Sequence, residues 1–588
     1  MTPRVPAAPR SQAAEARVRD HLRTLYDAET AATWTPRLLE RMAATERRLP
    51  GTPTPPSERL GPDTSVLITY ADQVRAPGEP PLRTLRRLLD GPLAGTTSAV
   101  HLLPFYPATS DDGFSVADYH AVDPDYGGWD DVAALAENRD LMFDGVINHT
   151  SVAHPWFRGF LADEPRYRDW YVTADPNDDL SATVRPRTTP LLTPFAVYDG
   201  VRHVWTTFSD DQVDLNYRRP EVLAAVLDVL LTYVERGARL LRLDAITYLW
   251  KEPGTSCVHL PQTHEVIKLI RTVLEACTPG VVIVSETNVP HAENVSYFGD
   301  GHDEAQMVYN FALPPLTLHA LATGDARILR DWARELRNPS DAATYFNFLA
   351  SHDGIGVRPV EGILARSEVA ALAERVRARG GLVSVKSDVG GGESPYELNA
   401  SLFDALAEPG APEADGVRRL LAAHALMLAL PGVPAVYVHS LLGSRNDTAA
   451  LAATGRARSI NRGRFEFAAL QAELADRGHR RRRVLNGMRR LLRARGAHPA
   501  FHPQAPARWP DAPPSVAAVV RGAPGTEVLA LQNLGTTGVT VDGTGLLGRR
   551  WPATARDLLT GEPVPDGAIA LGPHEFRWVH TPATVLTP

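Results

Sequence analysis

Leu241-Arg242-Leu243-Asp244-Ala245 sets an arginine two residues before an aspartate at the end of an apolar run. Side chains two apart on a strand share a face, so cation and carboxylate point the same way. At the mouth of an active site Arg242 keeps Asp244 ionised and aimed, as a carboxylate nucleophile requires. Elsewhere the same pair is an ordinary structural ion pair. Two later apolar runs end in the same manner, in Glu286 and in Asp353, and that company points to chemistry.

Working outward, short apolar runs recur at Ser65 to Tyr70, Ala99 to Pro104, Leu141 to Asn148, Leu240 to Ala245, Val281 to Glu286, Met307 to Phe311, Thr344 to Ala350 and Pro434 to Val438. Most lack alternation, the mark of parallel strands covered on both faces, and helical patterns such as Glu221 to Glu235 and Gln262 to Ala276 lie between them. The helix before the fourth run has Pro220 near its start, an apolar stripe through Val222, Val226, Val229 and Leu230, and Gly237 at its close. The expected fold class is α/β: an eight-stranded parallel β/α (TIM) barrel with inserted loop subdomains and a C-terminal antiparallel β domain.

The expected organisation is a helical extension and linker over 1–62, a barrel over 63–510 and a β domain over 511–588, the last from alternating stretches at Ser515 to Val520, Glu527 to Gln532 and Gly538 to Asp542. Two connections, about 151–214 and 354–408, are too long for ordinary barrel loops, and long loops in compact domains are functional or form subdomains. The first contains Arg185-Pro186-Arg187. The second contains Gly390-Gly391-Gly392-Glu393-Ser394-Pro395-Tyr396, whose glycines imply a mobile segment.

Composition narrows the class. A chain of 588 residues with 44% hydrophobic and 22% charged residues is an ordinary globular body of enzyme size. Lysine and arginine total 61 against 69 acids, for a formal charge of −8, which gives no support to a nucleic-acid partner. Two cysteines, Cys257 and Cys277, make no disulfide framework, and Met1-Thr2-Pro3-Arg4-Val5 lacks the apolar core of a signal peptide, so the cytoplasm is expected. The run from Leu420 to Val438 contains His424, Pro431 and Pro434 and reads as a buried helix handing over to a strand, not as a membrane span.

Catalytic groups of such barrels sit at the C-terminal strand ends. Asn148-His149 ends the third run, Asp244 the fourth, Glu286 the fifth and His352-Asp353 the seventh, while Asp111 follows the second. Acids, histidines and an arginine converging on one mouth suit a retaining glycosidase mechanism, in which one carboxylate is nucleophile and another acid/base. Taken alone, His149 also fits a satisfied structural histidine, and Asp111-Asp112-Gly113 a turn. Lys251-Glu252 reads as a solvated or loop pair without chemistry. No histidine or cysteine cluster has metal-ligand spacing, so neither metal nor cofactor is expected.

The segments Asp144-Gly145-Val146-Ile147-Asn148-His149, Leu241-Arg242-Leu243-Asp244, Ser285-Glu286-Thr287-Asn288 and Ser351-His352-Asp353 resemble, in order, the strand motifs of the alpha-amylase clan. Leu103-Pro104-Phe105-Tyr106-Pro107, Asp111-Asp112-Gly113-Phe114-Ser115, His352-Asp353-Gly354-Ile355-Gly356 and Ile460-Asn461-Arg462 resemble its sucrose phosphorylase subfamily. The resemblance runs from about Val66 to Arg462 and beyond. It implies Asp244 as nucleophile, Glu286 as general acid/base and Asp353 as transition-state stabiliser. It further implies Asp111, His149, His352, Arg242 and Arg458 as ligands of a glucosyl unit, with Phe208 and Tyr248 as aromatic walls. Arg187, Tyr396 and Glu397 would face phosphate or the acceptor.

The resemblance implies small-molecule partners, namely a glucoside, inorganic phosphate and glucose 1-phosphate, and leaves the oligomeric state open. Within the subfamily, Trp250-Lys251-Glu252-Pro253-Gly254-Thr255-Ser256-Cys257, Glu286-Thr287-Asn288-Val289-Pro290-His291 and Tyr345-Phe346-Asn347-Phe348-Leu349-Ala350-Ser351 are most similar to glucosylglycerate phosphorylases. Glucosylglycerol, sucrose and sucrose 6′-phosphate phosphorylases, or a hydrolase or transglucosidase of the same fold, are the alternatives. Glu397 stands where a sucrose phosphorylase carries glutamine. An acid there suits polyol hydroxyls, repels a phosphorylated fructose, and tolerates a glycerate carboxylate only where Arg187 or another cation intervenes.

Overall fold

A computed structural model describes residues 12–49, 54–198, 200–387 and 392–582. Met1-Thr2-Pro3-Arg4-Val5, Gly390 and Gly391, each read above, lie outside the described residues.

Eight parallel strands close into a barrel: β1 (Val66–Thr69), β2 (Ala99–Leu102), β3 (Asp140–Val146), β4 (Ala238–Asp244), β5 (Val282–Ser285), β6 (Met307–Tyr309), β7 (Thr344–Asn347) and β8 (Val433–Tyr437). Each neighbours the next in sequence, and β8 returns to β1. All eight coincide with the apolar runs read from the sequence, β3, β4 and β8 starting one or two residues earlier. They are buried almost throughout, which is why they show no alternation. Register builds the site: Arg242 of β4 lies opposite Asp144 of β3 on one side and Val284 of β5 on the other.

The helix Pro220–Glu235 buries Val222, Val226, Val229 and Leu230 as its stripe requires, and Leu223, Leu227 and Leu231 widen that face. Glu413–Ala429 is a buried helix delivering the chain to β8. Among the described residues no helix is long and apolar enough to cross a membrane. Cys257 and Cys277 are both buried, and neither is in a disulfide.

Two N-terminal helices, α1 (Gln12–Leu25) and α2 (Ala28–Arg48), pack outside the barrel, the second capped by Asp27, which accepts from the Thr30 amide at 2.6 Å. From α1, His21 reaches Glu265 at 2.7 Å and Thr272 at 3.0 Å on the helix Pro261–Cys277. From α2, Arg41 pairs with Asp228 and Glu235 on Pro220–Glu235. The extension therefore clamps the helices that feed β4 and β5.

The first long connection holds a hairpin, Leu192–Val197 with Gly200–Trp205, and a short pair, His149–Ser151 with Gln212–Asp214. The second holds the helix Arg366–Arg377 and a three-stranded sheet of Ile355–Gly356, Glu393–Asn399 and Leu382–Ser387. Gly354 lets that sheet close on β7: a Cβ there would lie 2.5 Å from Glu397 Cγ and 2.8 Å from the Leu398 carbonyl oxygen. C-terminal to the barrel, a five-stranded antiparallel sheet includes Val516–Arg521, Thr526–Asn533 and Phe576–Pro582. The buried Arg521 ties it to the barrel by donating to the Ala429 carbonyl at 2.8 Å.

Candidate active site

Beyond the C-terminal ends of the barrel strands lies a cleft with about 720 Å³ of empty space, part of it open to solvent. Asp244, Glu286 and Asp353 all line it. So do Asp111, His149, Phe208, Tyr248, His352 and Arg458, together with Arg187, Tyr396 and Glu397. Of the residues that the resemblance implies for the site, only Arg242 is absent from the wall.

Arg242 is 2% exposed and sits behind the carboxylates. Its Nη1 donates to Asp244 Oδ1 at 2.8 Å and to Asp144, and its Nη2 lies 3.7 Å from Glu286 Oε2. The pairing with Asp244 read from the spacing is present, and the same guanidinium is divided among three acids. Asp144 is anchored from its other oxygen by His101 at 2.7 Å.

Burial pushes the Asp244 carboxyl well above its usual range; Arg242 opposes this, while Glu286, Asp144 and Asp353 add to it. Burial likewise raises Glu286, again against Arg242. Arg242 touches Asp244 directly but only approaches Glu286, so in this pair the negative charge belongs on Asp244 and the proton on Glu286. Asp353 behaves oppositely. Burial opposes its ionisation, but Arg458 at 2.6 Å, with His352, Arg462 and Arg242, holds it well below the usual carboxylate range.

The backbone places these groups with some strain. Ala245, directly after Asp244, has φ 51° and ψ 33°, a left-handed conformation costing ~1–3 kcal/mol for a non-glycine residue. In return its N–H donates to Glu286 Oε2 at 3.1 Å, fixing the acid relative to β4. Asp111 and Asp112 are also left-handed (φ 52° and 50°), which aspartate tolerates better than most residues. Asp112 then pairs with Arg462, whose Nε donates to the His352 carbonyl at 2.7 Å.

His352 stacks on Phe114 with ring centroids 4.7 Å apart, and burial keeps its imidazole neutral. His149 is buried and also held neutral by burial. Its Nε2 lies 3.0 Å from the Phe114 carbonyl, and Phe208 leans over its ring at 5.3 Å and on Tyr248 at 5.5 Å.

Two further residues have partners that their sequence neighbourhoods do not show. Glu397 does not offer a free charge to an acceptor, because Arg458 grips it bidentately at 3.1 and 2.9 Å while also holding Asp353. The intervening cation is therefore Arg458, whose own guanidinium serves carboxylates of the protein. Lys251 is not a solvated loop residue: it is 4% exposed and paired with Asp214 at 2.8 Å, whereas Glu252 is exposed. Charge inside an apolar element signals a buried partner, and by that rule Asp144 was findable within Met142-Phe143-Asp144-Gly145-Val146. Lys251, Gln212 and Asn288 carry no such local signal.

Arg187 differs from the other arginines of the cleft. Its guanidinium lies 5.8 Å from the Phe208 ring and 6.0 Å from that of Tyr396, its hydrogen bond is to the Pro186 carbonyl, and among the described residues no carboxylate pairs with it. Tyr396 accepts from Asn288 Nδ2 at 3.4 Å. The cleft thus has an acidic floor with internal counter-charges and a cation near its aromatic rim.

Residues 95–362 match the alpha-amylase catalytic domain family. The chain is 53% identical to a glucosylglycerate phosphorylase of Allomeiothermus silvanus over 76% of this chain and 80% of that protein. It is 43% identical to one of Escherichia coli over 96% and 99%. A sucrose phosphorylase of Agrobacterium vitis is 33% identical over 74% and 88%. Among solved structures, sucrose 6F-phosphate phosphorylase from Thermoanaerobacter thermosaccharolyticum aligns with a TM-score of 0.72 at 25% identity, covering 83% of this chain and 97% of that one.

Proposed function

The chain belongs to the glucosylglycerate phosphorylases of the alpha-amylase family, and from that premise we propose that it catalyses the reversible phosphorolysis of 2-O-α-glucosylglycerate to α-glucose 1-phosphate and glycerate. Asp244 attacks the anomeric carbon, and the glycosidic bond breaks as Glu286 passes its proton to the leaving glycerate oxygen. Inorganic phosphate then attacks the glucosyl ester from the face glycerate has left, Asp244 departs, and the product keeps the α configuration. Asp353, held ionised by Arg458, stabilises the positive charge that builds at the anomeric carbon. Asp111, His149 and His352 hold the glucosyl unit between the walls of Phe208 and Tyr248.

The observation that carries this reading is the unpaired guanidinium of Arg187 at the rim, while the charge of Glu397 is spent on Arg458. Glycerate and phosphate are both anions that visit the same side of the cleft in turn, and one free planar cation serves both. A neutral acceptor needs no such group. Arg187→Gln is accordingly expected to raise KM for phosphate and for glycerate by about ten- to a hundredfold, in keeping with ~1.5–3 kcal/mol for a charged hydrogen bond, with a smaller change in kcat. Initial rates at varied phosphate check this; an unchanged KM for both anions would assign anion binding elsewhere.

The test of the function is an acceptor panel of glycerate, glycerol, fructose and fructose 6-phosphate with α-glucose 1-phosphate as donor. Phosphate release dependent on glycerate alone is the expected result. Preference for another acceptor moves the protein to a neighbouring specificity, and glucose released regardless of acceptor makes it a hydrolase.

A further inference from the structure

Behind His149 and Phe208 lies a buried polar cluster, Lys251, Asp214 and Asn148, to which the double displacement above gives no role. Lys251 Nζ donates to Asp214 Oδ2 at 2.8 Å and to Asn148 Oδ1 at 2.7 Å. An ammonium only donates, so Asn148 turns its oxygen to Lys251 and its amide nitrogen away from it. That nitrogen lies 3.3 Å from Asp214 Oδ2 and 3.2 Å from His149 Nδ1. An amide NH₂ also only donates, hence His149 Nδ1 accepts and the ring proton sits on Nε2, aimed at the Phe114 carbonyl. Gln212 Nε2, 3.1 Å from the same imidazole nitrogen, then donates to that carbonyl at 3.3 Å and to Asp111 Oδ2 at 3.4 Å.

The other arm of the cluster holds the aromatic wall. Asp214 accepts from the Thr207 hydroxyl at 2.6 Å and from its N–H at 3.2 Å, which fixes the residue preceding Phe208. Lys251, Asp214, Asn148, Thr207 and His149 are all buried, so no water replaces a lost partner at little cost.

We propose that Lys251 is a positioning residue for glucosyl binding: through Asn148 it dictates the tautomer of His149, and through Asp214 it seats Phe208. This rests on the reading of the cleft as a glucosyl site. The charged groups facing His149 are Asp214, Lys251 and Asp111. Burial keeps the imidazole neutral and the ammonium adds to this; with the ammonium removed, Asp214 and Asp111 are opposed by burial alone and protonation of His149 moves to higher pH.

Calorimetric titration of α-glucose 1-phosphate into the Asp244→Asn protein, which cannot form the glucosyl ester, tests this without turnover. Lys251→Met and Asn148→Ala, each added to that parent, are expected to weaken binding about tenfold, the scale of one buried hydrogen bond. The deficit of Lys251→Met relative to the parent should grow as pH falls from 8 to 6, and adding Asp214→Asn should remove that growth. Asn148→Ala keeps the Lys251–Asp214 pair and so decides the matter even if Lys251→Met does not fold. Binding within twofold of the parent for Asn148→Ala, or a pH-independent ratio for Lys251→Met, overturns the role. A parent that binds no α-glucose 1-phosphate overturns the activity assigned above and this role with it.

Discussion

Asp244→Asn is expected to abolish turnover, lowering kcat by on the order of 10⁴-fold or more, while the protein melts at or above the temperature of the unaltered chain. The first half follows from bond-making: an amide oxygen beside Glu286 does not form the glucosyl ester on which both half-reactions depend. The second half follows from the charge balance. Burial lifts the folded Asp244 carboxyl above its unfolded value, so the ionised group costs stability increasingly as pH rises through that window, and an amide relieves the cost at neutral pH. Arg242 is not orphaned by the change, since Asp144 still holds it. Single-turnover assays and thermal unfolding check the two halves together. A folded variant with kcat within tenfold of the unaltered enzyme removes Asp244 from the covalent step.

The legible part of this molecule is the part that obeys local rules. Strands covered on both faces write continuous apolar runs, and the polar residue that stops each run marks the catalytic rim, so Asp244, Glu286 and Asp353 were available before any coordinates. The pairing of charges was not. Glu397 and Arg458 both looked addressed to the substrate, because nothing near either in sequence shows that the sheet closing over Gly354 joins them. Trp250-Lys251-Glu252-Pro253-Gly254 reads as a polar turn, and only the fold reveals that one of its two charges points inward at Asp214 and the other at solvent. Arg242 illustrates the same limit within a correctly read motif. Spacing gave its relation to Asp244, but the share taken by Asp144 and Glu286 depends on the register of β3 and β5.

Glu286→Gln is expected to damage the two half-reactions unequally. Phosphorolysis of glucosylglycerate should fall by about 10²–10⁴-fold, the usual scale of general acid catalysis, while exchange of radiolabelled phosphate into α-glucose 1-phosphate should stay within about tenfold. The leaving groups decide this. Glycerate leaves through an alcohol oxygen, which needs the proton that burial keeps on Glu286. Phosphate is acidic enough to leave, and to attack, with little help, so exchange cycles through the Asp244 ester without calling on the acid. The substitution also preserves an acceptor oxygen for the Ala245 N–H and removes no cation, so the strained turn after β4 keeps its partner. Equal losses in both assays would mean that Glu286 serves to position the glucosyl unit and not to transfer a proton. A selective loss fixes its role at the glycerate oxygen, the atom at which this reaction parts from simple phosphate exchange.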